Sequence, residues 1–286
     1  MNLVIKIGGA EGIADHQAAF VRNLRELVAE GHRVTIVHGG SDAATRLGEE
    51  LGTPARFATS PSGHTSRLTD ARTLEIFTMA TALINRSLVS ALQAAGVNAF
   101  GLSGLDGRAL EAERKGPFRV VENGRRRLVR GDLTGRPKRA DGDILQHLLD
   151  ASCVPVVAPL GIDRESSVAL NVDGDRAAAA IARAVGAEVL VILTAVPGVL
   201  ADFPREDSLI GHVPTTGLDQ LIELAGGRMK KKVLAASEAL RTADESGTPP
   251  HRVVIATAAA AAPITSALAG CGTVLGAPLL HPVPQS

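Results

Sequence analysis

Short apolar runs recur along the chain, and segments with helical spacing of apolar residues separate them. The run Leu3–Ile7 contains a single polar residue and no regular alternation, which is typical of a strand buried on both faces of a sheet. The run Val189–Leu193 has the same character in the second half of the chain. We predict strands at residues 3–7, 34–37, 97–102, 154–158, 189–193, 253–256 and 273–275.

One long helix and several shorter ones are predicted between these strands. From Asp70 to about Ala95, apolar residues lie three and four positions apart, which predicts a helix capped by Asp70 and ended at Gly96. Because strands and helices alternate, we predict an α/β fold: a three-layer αβα sandwich around a mainly parallel, open sheet. The other predicted helices cover residues 15–30, a segment capped by Ser41, 144–149, 174–185, 217–225, 229–244 and 261–269.

Residues 111–130 break this alternation. Short β-prone runs flank Asn123-Gly124, a dipeptide that predicts a tight hairpin. The same region is rich in cations, in a chain of zero net charge. It is either a solvated hairpin or a surface that attracts an acidic protein, and both interpretations stay open. The cations are Arg114, Lys115, Arg119, Arg125, Arg126, Arg127 and Arg130.

Composition limits the class of protein. The chain has 286 residues, 45% apolar and 21% charged, enough for one large α/β domain or two lobes. Zero net charge and the absence of Trp and Tyr argue against nucleic acid as a partner. No window resembles a membrane-spanning helix and residues 1–7 do not resemble a signal peptide, so we expect no membrane association and a cytoplasmic location.

Two predicted strand ends carry residues that suit a phosphate. Lys6 lies inside the first strand, where a charge is costly without a negative partner, and Gly8–Gly9 follow it. The segment His38–Ser41 repeats the order of strand, paired glycines and helix start, and helix amino termini attract anions. A ligand site is one interpretation, and a snorkelling lysine with plain turns is the other. His38 is either a catalyst or a packed residue.

Three further segments carry charged or amide side chains. Arg67 either clamps a carboxylate or is a solvated surface arginine. In Asn171–Asp175, Asp175 either caps the next helix, orients a lysine or contributes to a Mg²⁺ site. The segment Gly227–Val233 holds four cations; a solvated helix face explains two or three of them, whereas Lys232 borders an apolar face.

Several common catalytic motifs are absent from the sequence. It contains no GxxxxGKS/T loop, no GxGxxG that opens a βα unit, no GxSxG elbow and no HExxH. P-loop kinases and nicotinamide oxidoreductases are therefore disfavoured.

Taken together and in this order, the motifs resemble the amino acid kinase family, and within it the N-acetylglutamate kinase branch. The resemblance runs from residue 2 to about residue 275 and extends to those kinases whose substrate is bound to an amino-group carrier protein, LysW. The segments that carry it are Lys6–Gly12, Ser66–Asp70, Leu74–Phe77, Gly101–Arg108 and Gly227–Lys230.

The resemblance implies an activity. It is ATP- and Mg²⁺-dependent phosphorylation of the side-chain carboxylate of carrier-bound L-2-aminoadipate, which gives an acyl phosphate in lysine biosynthesis. A carboxylate is ionised at neutral pH, so no general base is required. Acetylglutamate kinase or carrier-bound glutamate kinase in arginine biosynthesis is the alternative. A non-catalytic nucleotide-binding regulatory protein is the alternative from another class.

The resemblance also implies roles for individual residues. Lys6 and Lys232 would neutralise the phosphoryl group, and Asp175 would orient both. The acceptor would be held by Gly39, Gly40, Arg67 and Asn171, with backbone amides of the glycines facing ligands. No protein-held metal is implied. The nucleotide would be bound by Gly8, Gly9, Thr194, Gly198 and Met229.

Three segments depart from the family pattern: Ala195, Thr257–Ala262 and Asp244–His251, which resembles a short insertion. Ala195 stands where these kinases usually carry Asp or Asn, which removes one nucleotide contact. The resemblance also implies a domain division and an assembly. Residues 1–286 would form a single domain with an acceptor-binding lobe, about 1–170, and a nucleotide-binding lobe, about 171–286. The long helix near residues 70–95 would join two copies in a homodimer.

Overall fold

The computed structural model describes residues 1–8, 16–59, 65–122, 125–241 and 247–278. Its strands are β1 (Asn2–Ile7), β2 (Arg33–His38), β3 (Phe57–Thr59), β4 (Thr65–Arg67), β5 (Ala99–Ser103), β6 (Leu110–Arg114), β7 (Phe118–Glu122), β8 (Arg125–Val129), β9 (Thr134–Ala140), β10 (Val154–Ala158), β11 (Leu160–Asp163), β12 (Ala169–Val172), β13 (Val189–Thr194), β14 (His212–Val213), β15 (Arg252–Thr257) and β16 (Thr273–Gly276). Its helices are α1 (Gln17–Ala29), α2 (Ser41–Glu50), α3 (Ala71–Ala94), α4 (Gly142–Asp150), α5 (Gly174–Ala184), α6 (Leu218–Leu224), α7 (Gly227–Leu240) and α8 (Pro263–Leu268).

Eight strands form the main sheet, in the order β14-β16-β15-β13-β1-β2-β10-β5. Neighbours run parallel except β15 and β16, which are antiparallel. All seven strands predicted from the apolar runs lie in this sheet, so the predicted mainly parallel, open sheet is confirmed. Strands β1 and β13 meet at its centre, between a half built from the first 170 residues and a half built from the rest.

Helices cover both faces of this sheet, as the three-layer prediction requires. One core contains Leu24 of α1, Leu92 of α3 and Ile264 of α8. The opposite core contains side chains of α4, α5, α6 and α7, among them Ile181 and Val233. Strand side chains alternate between the two cores because successive residues of a strand point to opposite faces.

A small closed barrel of β11, β12, β9 and β6 lies outside the prediction. Its strands are short or polar, and β9 contains Pro137 opposite Ala112, where the register of β6 shifts. The predicted hairpin is confirmed as the antiparallel pair β7–β8, while its predicted turn, Asn123-Gly124, lies outside the described residues.

The structure confirms one predicted helix cap and shows that another is wrong. Asp70 caps α3 as predicted by accepting the N–H of Thr73. Ser41 is the first residue of α2 rather than its cap, which is Gly40. The predicted cap Asp15 and residues 242–246 lie outside the described residues. Within the part of the chain that the structure describes, no helix has both the length and the apolar character needed to span a membrane.

Candidate active site

Side-chain alternation along β1 sends Lys6 toward α5 and α7. Leu3 and Ile5 pack in the core beneath α1 and α3, whereas Val4 joins the core beneath α5 and α7. Lys6 lies two residues after Val4 and shares its face. It is only 5% exposed, so its charge depends on a partner from the helices of that face.

Asp175 is that partner. The carboxylate of Asp173 caps α5 by accepting the N–H groups of Asp175 and Arg176, so the interpretation of Asp175 as the cap is wrong. Asp175 Oδ1 lies 2.6 Å from Lys6 Nζ. Its Oδ2 lies 3.1 Å from the Nζ of Lys232 on α7. One buried carboxylate thus joins the two lysines for which the family resemblance implies a catalytic role.

The pKa values follow from this arrangement. Burial would lower the pKa of Lys6, but the carboxylate of Asp175, with help from Asp173, raises it above its ordinary value. Burial would raise the pKa of Asp175, but the two lysines hold it well below its usual range. For Lys232, burial lowers the pKa and the charge of Lys6 adds to this, while Asp175 opposes both. The carboxylate is therefore ionised at neutral pH between the two amino groups.

A second ion pair fixes α5 against α7. Arg176, next to Asp175, donates from Nε to Glu238 Oε2 over 2.8 Å, and its Nη2 bonds to the other carboxylate oxygen. Arg136 of the barrel reaches the same carboxylate at 3.3 Å. A planar guanidinium that binds a carboxylate through two bonds restricts how the helices can slide. The pair therefore holds the helix of Lys232 beside the helix of Asp175.

The carboxyl ends of the central strands bring the predicted glycines to one edge. Ile7 pairs with His38, and Lys6 pairs with Ile192, so Gly8, Gly39 and the end of β13 lie side by side. No described atom comes within 4 Å of a Cβ built on Gly8, which leaves space above it for a ligand. Gly9 lies outside the described residues.

The other pair of glycines has packing roles. The Gly39 N–H donates to Ile7 O over 3.0 Å, so the expectation that this amide faces a ligand is not met. A Cβ on Gly40 would lie 2.5 Å from Thr81 Cγ2 of α3, so only glycine lets α2 begin this close to α3.

His38 is a packed residue. It is fully buried, and burial lowers its pKa to about 4, with the charge of Lys6 acting in the same direction. Asn85 Nδ2 donates to Val156 O and lies 3.2 Å from His38 Nε2, so the neutral ring accepts there. The proton is then on Nδ1, 2.8 Å from Gly39 O, and this bond fixes the Gly39 peptide.

The predicted acceptor residues lie on the α2 side of the site. Arg67 is 7% exposed; its Nη2 donates to Ser41 O over 2.7 Å and to Thr45 Oγ1 over 2.8 Å. The interpretation as a solvated surface arginine is therefore wrong. Burial lowers the pKa of Arg67, although nearby Asp42 opposes this. Asn171, on β12 just before the cap of α5, donates to Thr69 Oγ1 over 3.2 Å.

The predicted nucleotide residues lie beyond β13 and at the start of α7. Thr194 ends β13, and its carbonyl accepts the N–H of Ala258 over 2.8 Å. Gly198 has a packing role, because a Cβ there would lie 2.6 Å from Thr273 Oγ1. Met229 is half-buried in the first turn of α7 and packs on the core beneath it. Ala195 is exposed.

Two of the predicted docking cations, Arg119 and Arg127, lie on opposite faces of the hairpin. Arg119 pairs with Leu128 and Val120 with Arg127, so Arg119 and Arg127 point to opposite faces of the hairpin. Arg119 shares the outward face with Leu128, which is 46% exposed, whereas Val120 on the other face is buried. Arg114 donates from Nε to Asp132 O, and Lys115 Nζ lies 5.7 Å from the Phe118 ring centre. Arg130 follows β8 and is exposed, and for Arg125 and Arg126 only the backbone is described.

Comparison with known proteins decides the family. Residues 1–256 match the model of the amino acid kinase family. The chain belongs to the amino acid kinase family. A [LysW]-aminoadipate kinase of Deinococcus radiodurans is 47% identical over 274 residues, which cover 96% of this chain and 91% of that protein. A [LysW]-aminoadipate kinase of Thermus thermophilus is 44% identical over 276 residues, with coverages of 96% and 99%.

Two more comparisons add to this. A putative [LysW]-aminoadipate/[LysW]-glutamate kinase of Nitrosopumilus maritimus is 39% identical over 240 residues, which cover 83% of this chain and 87% of that protein. The solved structure of a Giardia carbamate kinase superposes with a TM-score of 0.66 at 18% identity, and the match covers 96% of this chain and 98% of that one. At this identity, the comparison with the carbamate kinase shows only that the two proteins share a fold.

Sequence reasoning missed residues that support the site of this amino acid kinase. Asn85 was part of an ordinary helical pattern, yet it fixes His38. Thr69 was one of several small polar residues, yet it receives the bond from Asn171. An isolated amide on the buried side of α3 was the one available signal for Asn85, because a buried amide needs partners.

Proposed function

We propose that the protein transfers the γ-phosphoryl group of ATP to the side-chain carboxylate of L-2-aminoadipate attached to LysW. The observation that carries the proposal is the buried arrangement of Lys6, Asp175 and Lys232 at the carboxyl edge of the sheet. The names of the relatives from Deinococcus and Thermus support the same substrate.

Phosphoryl transfer from ATP to a carboxylate requires that the charge of the phosphoryl group be neutralised and that the two reactants be positioned. The acceptor carboxylate attacks the γ-phosphorus in line, the bond to the β–γ bridging oxygen breaks, and an acyl phosphate and ADP result. Negative charge on the phosphoryl oxygens is met by Lys6 and Lys232, whose ammonium groups converge on Asp175 and are fixed before the substrate binds. Since the acceptor is ionised, none of these residues has to remove a proton.

Mg²⁺ would be carried by the phosphates of ATP. In the described ranges of the chain, no three His, Cys, Asp or Glu side chains lie together in a way that could hold a metal ion. Asp173 and Asp175 are engaged by backbone amides and by lysines. We infer that a magnesium ion would arrive with the nucleotide and neutralise phosphate charge.

The carboxyl end of the acceptor would be held between α2 and β12. Arg67 lies against the first turn of α2, whose amino end has no side-chain cap, and Asn171 stands four residues before Asp175. A guanidinium and a helix amino terminus both favour a carboxylate. We therefore keep Arg67, Asn171 and Gly40 as acceptor residues.

The hairpin would dock the carrier through its outward face. Arg119 and Leu128 present a cation beside an exposed apolar side chain, and β7 contacts β3, the partner of the strand that bears Arg67. We expect Arg119→Glu to raise KM for the carrier-bound acceptor, most strongly at low salt. Arg127→Glu, on the opposite face, is the matched comparison. An equal effect of both, or of neither, would contradict docking on the outward face.

The acceptor that is phosphorylated distinguishes the proposed activity from the alternative functions. Aminoadipate and glutamate differ by one methylene, which a pocket discriminates by about 1–3 kcal/mol. We would measure ATP-dependent hydroxamate formation with carrier-bound aminoadipate, carrier-bound glutamate and free N-acetylglutamate, and we expect the highest kcat/KM for the first. Turnover of free N-acetylglutamate alone would favour acetylglutamate kinase. ATP binding without turnover of any acceptor would favour a regulatory protein.

We also propose a cytoplasmic homodimer with two lobes, about 1–170 and about 171–286. Met79 and Leu83 on α3 are 45% and 72% exposed, and Phe100 on the edge strand β5 is 49% exposed. Apolar side chains on neighbouring elements favour a second copy as their cover. Light scattering of Leu83→Glu against the wild type tests this, and an unchanged mass would contradict it.

A further inference from the structure

Asp132 is a buried carboxylate outside the proposed catalytic set. It lies between the hairpin and β9 and is 5% exposed. Its Oδ1 accepts the N–H of Thr69 over 2.7 Å. Its Oδ2 accepts the N–H of Thr134 over 3.2 Å and also the Thr134 hydroxyl. The side chain therefore joins the segment after β4 to the start of β9.

Thr69 connects Asp132 to the proposed acceptor residues through hydrogen bonds. Its backbone carbonyl accepts the N–H of Leu133 over 2.7 Å, and the Leu133 carbonyl accepts the N–H of Asn171 over 2.9 Å. Its hydroxyl accepts the side-chain amide of Asn171 over 3.2 Å. Arg67 stands two residues before Thr69, at the end of β4. Both proposed acceptor side chains are thus tied to the backbone that Asp132 holds.

Asp132 is also tied to the base of the hairpin. Arg114, at the end of β6 and four residues before β7, donates from Nε to the Asp132 carbonyl over 2.8 Å. On the other side, Asp132 follows β8 by three residues. The two ends of the hairpin therefore meet at the residue whose carboxylate positions Thr69.

We propose that Asp132 is a positioning residue for the acceptor, which sets Thr69 and Asn171 in register with the base of the hairpin. This rests on the proposed kinase function. A carrier docked on the hairpin would then present its attached substrate to acceptor residues whose place is fixed by the same carboxylate. Asp132 does not touch the phosphoryl group in this scheme, so its loss acts on acceptor binding and leaves ATP binding unchanged.

The test is Asp132→Asn in the full chain, with Asp163→Asn as the matched control. Asparagine keeps the shape but places an N–H₂ group among donors on one side of the carboxyl site. Asp163 is 6% exposed, lies on barrel strand β11 and accepts from Ser166 and from the Arg114 N–H. It therefore shares the base of the hairpin with Asp132, but its other partner is Ser166 rather than Thr69, so the comparison isolates the link through Thr69. Both variants replace one buried, hydrogen-bonded carboxyl group by an amide of the same shape.

For Asp132→Asn we expect KM for carrier-bound aminoadipate to rise about tenfold, the equivalent of one hydrogen bond to a charged group, with KM for ATP within about twofold. For Asp163→Asn we expect both constants within about twofold of the wild type. Equal changes in the two variants, or a change in both KM values for Asp132→Asn, would show a merely structural role and overturn the proposal.

A second variant covers the case in which Asp132→Asn does not fold. Thr134→Val removes only the hydroxyl that Asp132 accepts, and we expect a rise of about threefold in acceptor KM, as for one neutral hydrogen bond. An unchanged acceptor KM would overturn the proposal. A wild-type protein that phosphorylates no carrier-bound acceptor would instead overturn the proposed function, and this proposal with it.

Discussion

Replacing Asp175 by Asn would test the electrostatic arrangement of the site directly. The change keeps the shape of the side chain and removes its charge. Lys6 and Lys232, whose side chains are 7% and 14% exposed, would then face each other without the carboxylate that now lies 2.6 Å and 3.1 Å from them. The two ammonium groups would repel each other in a place that water barely reaches.

The expected loss is large enough to measure. Removing one partner of a buried ion pair costs about 3–5 kcal/mol. A unit charge pair at 4 Å in a medium of effective dielectric constant about 20 is worth about 4 kcal/mol, which agrees. Since the Asn oxygen can still accept from one lysine, we expect a loss of about 3 kcal/mol in the free energy of unfolding at pH 7.

The pH dependence of this loss has a defined sign. Without Asp175 the pKa of Lys6 falls, because the carboxylate that raises it is gone. The unfolded variant then binds more protons than the folded one as pH rises toward 10, so the stability of the variant increases with pH. The difference from the wild type should therefore be larger at pH 7 than at pH 10.

Urea unfolding followed by circular dichroism is the assay, since the chain has no Trp or Tyr to report by fluorescence. Asp173→Asn is the matched control, because Asn caps a helix about as well as Asp and the loss should be below about 1 kcal/mol. A loss for Asp175→Asn no larger than that of the control, or one that grows with pH, would contradict the role of Asp175 between the two lysines.

Three other predictions concern the glycines and His38. Gly40→Ala should lose about 1–3 kcal/mol in urea unfolding, because its Cβ would lie 2.5 Å from Thr81 Cγ2, and Thr81→Ser in the same chain should restore part of it; no restoration would contradict this contact. Gly8→Ala should change unfolding by less than about 0.5 kcal/mol, since no described atom lies within 4 Å of its Cβ, yet raise KM for ATP; an unchanged KM would remove Gly8 from the nucleotide site. Because burial lowers the pKa of His38 to about 4, its unfolded form takes up a proton between about pH 6.5 and 4 and the folded form does not, which costs up to about 3 kcal/mol as pH falls. His38→Gln should flatten the unfolding free energy in that range, and an unchanged slope would contradict the assignment.

The main sheet could be predicted from the sequence because its strands are covered on both faces. Strands such as β1 and β13 have to be apolar throughout, and this pattern is visible without a structure. The barrel could not be predicted in the same way. Its strand β9 carries Pro137 and three cations, since its side chains alternate between interior and solvent, and a proline inside a run argues against a strand.

Some residues of the candidate site could also be predicted from the sequence, whereas their partners could not. A cation in a buried strand predicts a negative partner for Lys6, but the sequence does not identify that partner. Asp175 and Asp173 are chemically alike, and only the geometry of the helix start shows which caps and which faces the lysines. Asp132 gave no signal, because its role depends on the meeting of three segments distant in sequence.

Lys6 and Lys232 would act together on the phosphoryl group, and acyl phosphate formation by a Lys6 variant measures this role. With ATP and carrier-bound aminoadipate, the wild type should form an acyl phosphate that hydroxylamine traps. Lys6→Met should lose about 2–4 kcal/mol of transition-state stabilisation, which lowers kcat at least about thirtyfold. Its circular-dichroism spectrum should match that of the folded wild type. A folded Lys6→Met protein that turns over at near wild-type kcat would contradict this role.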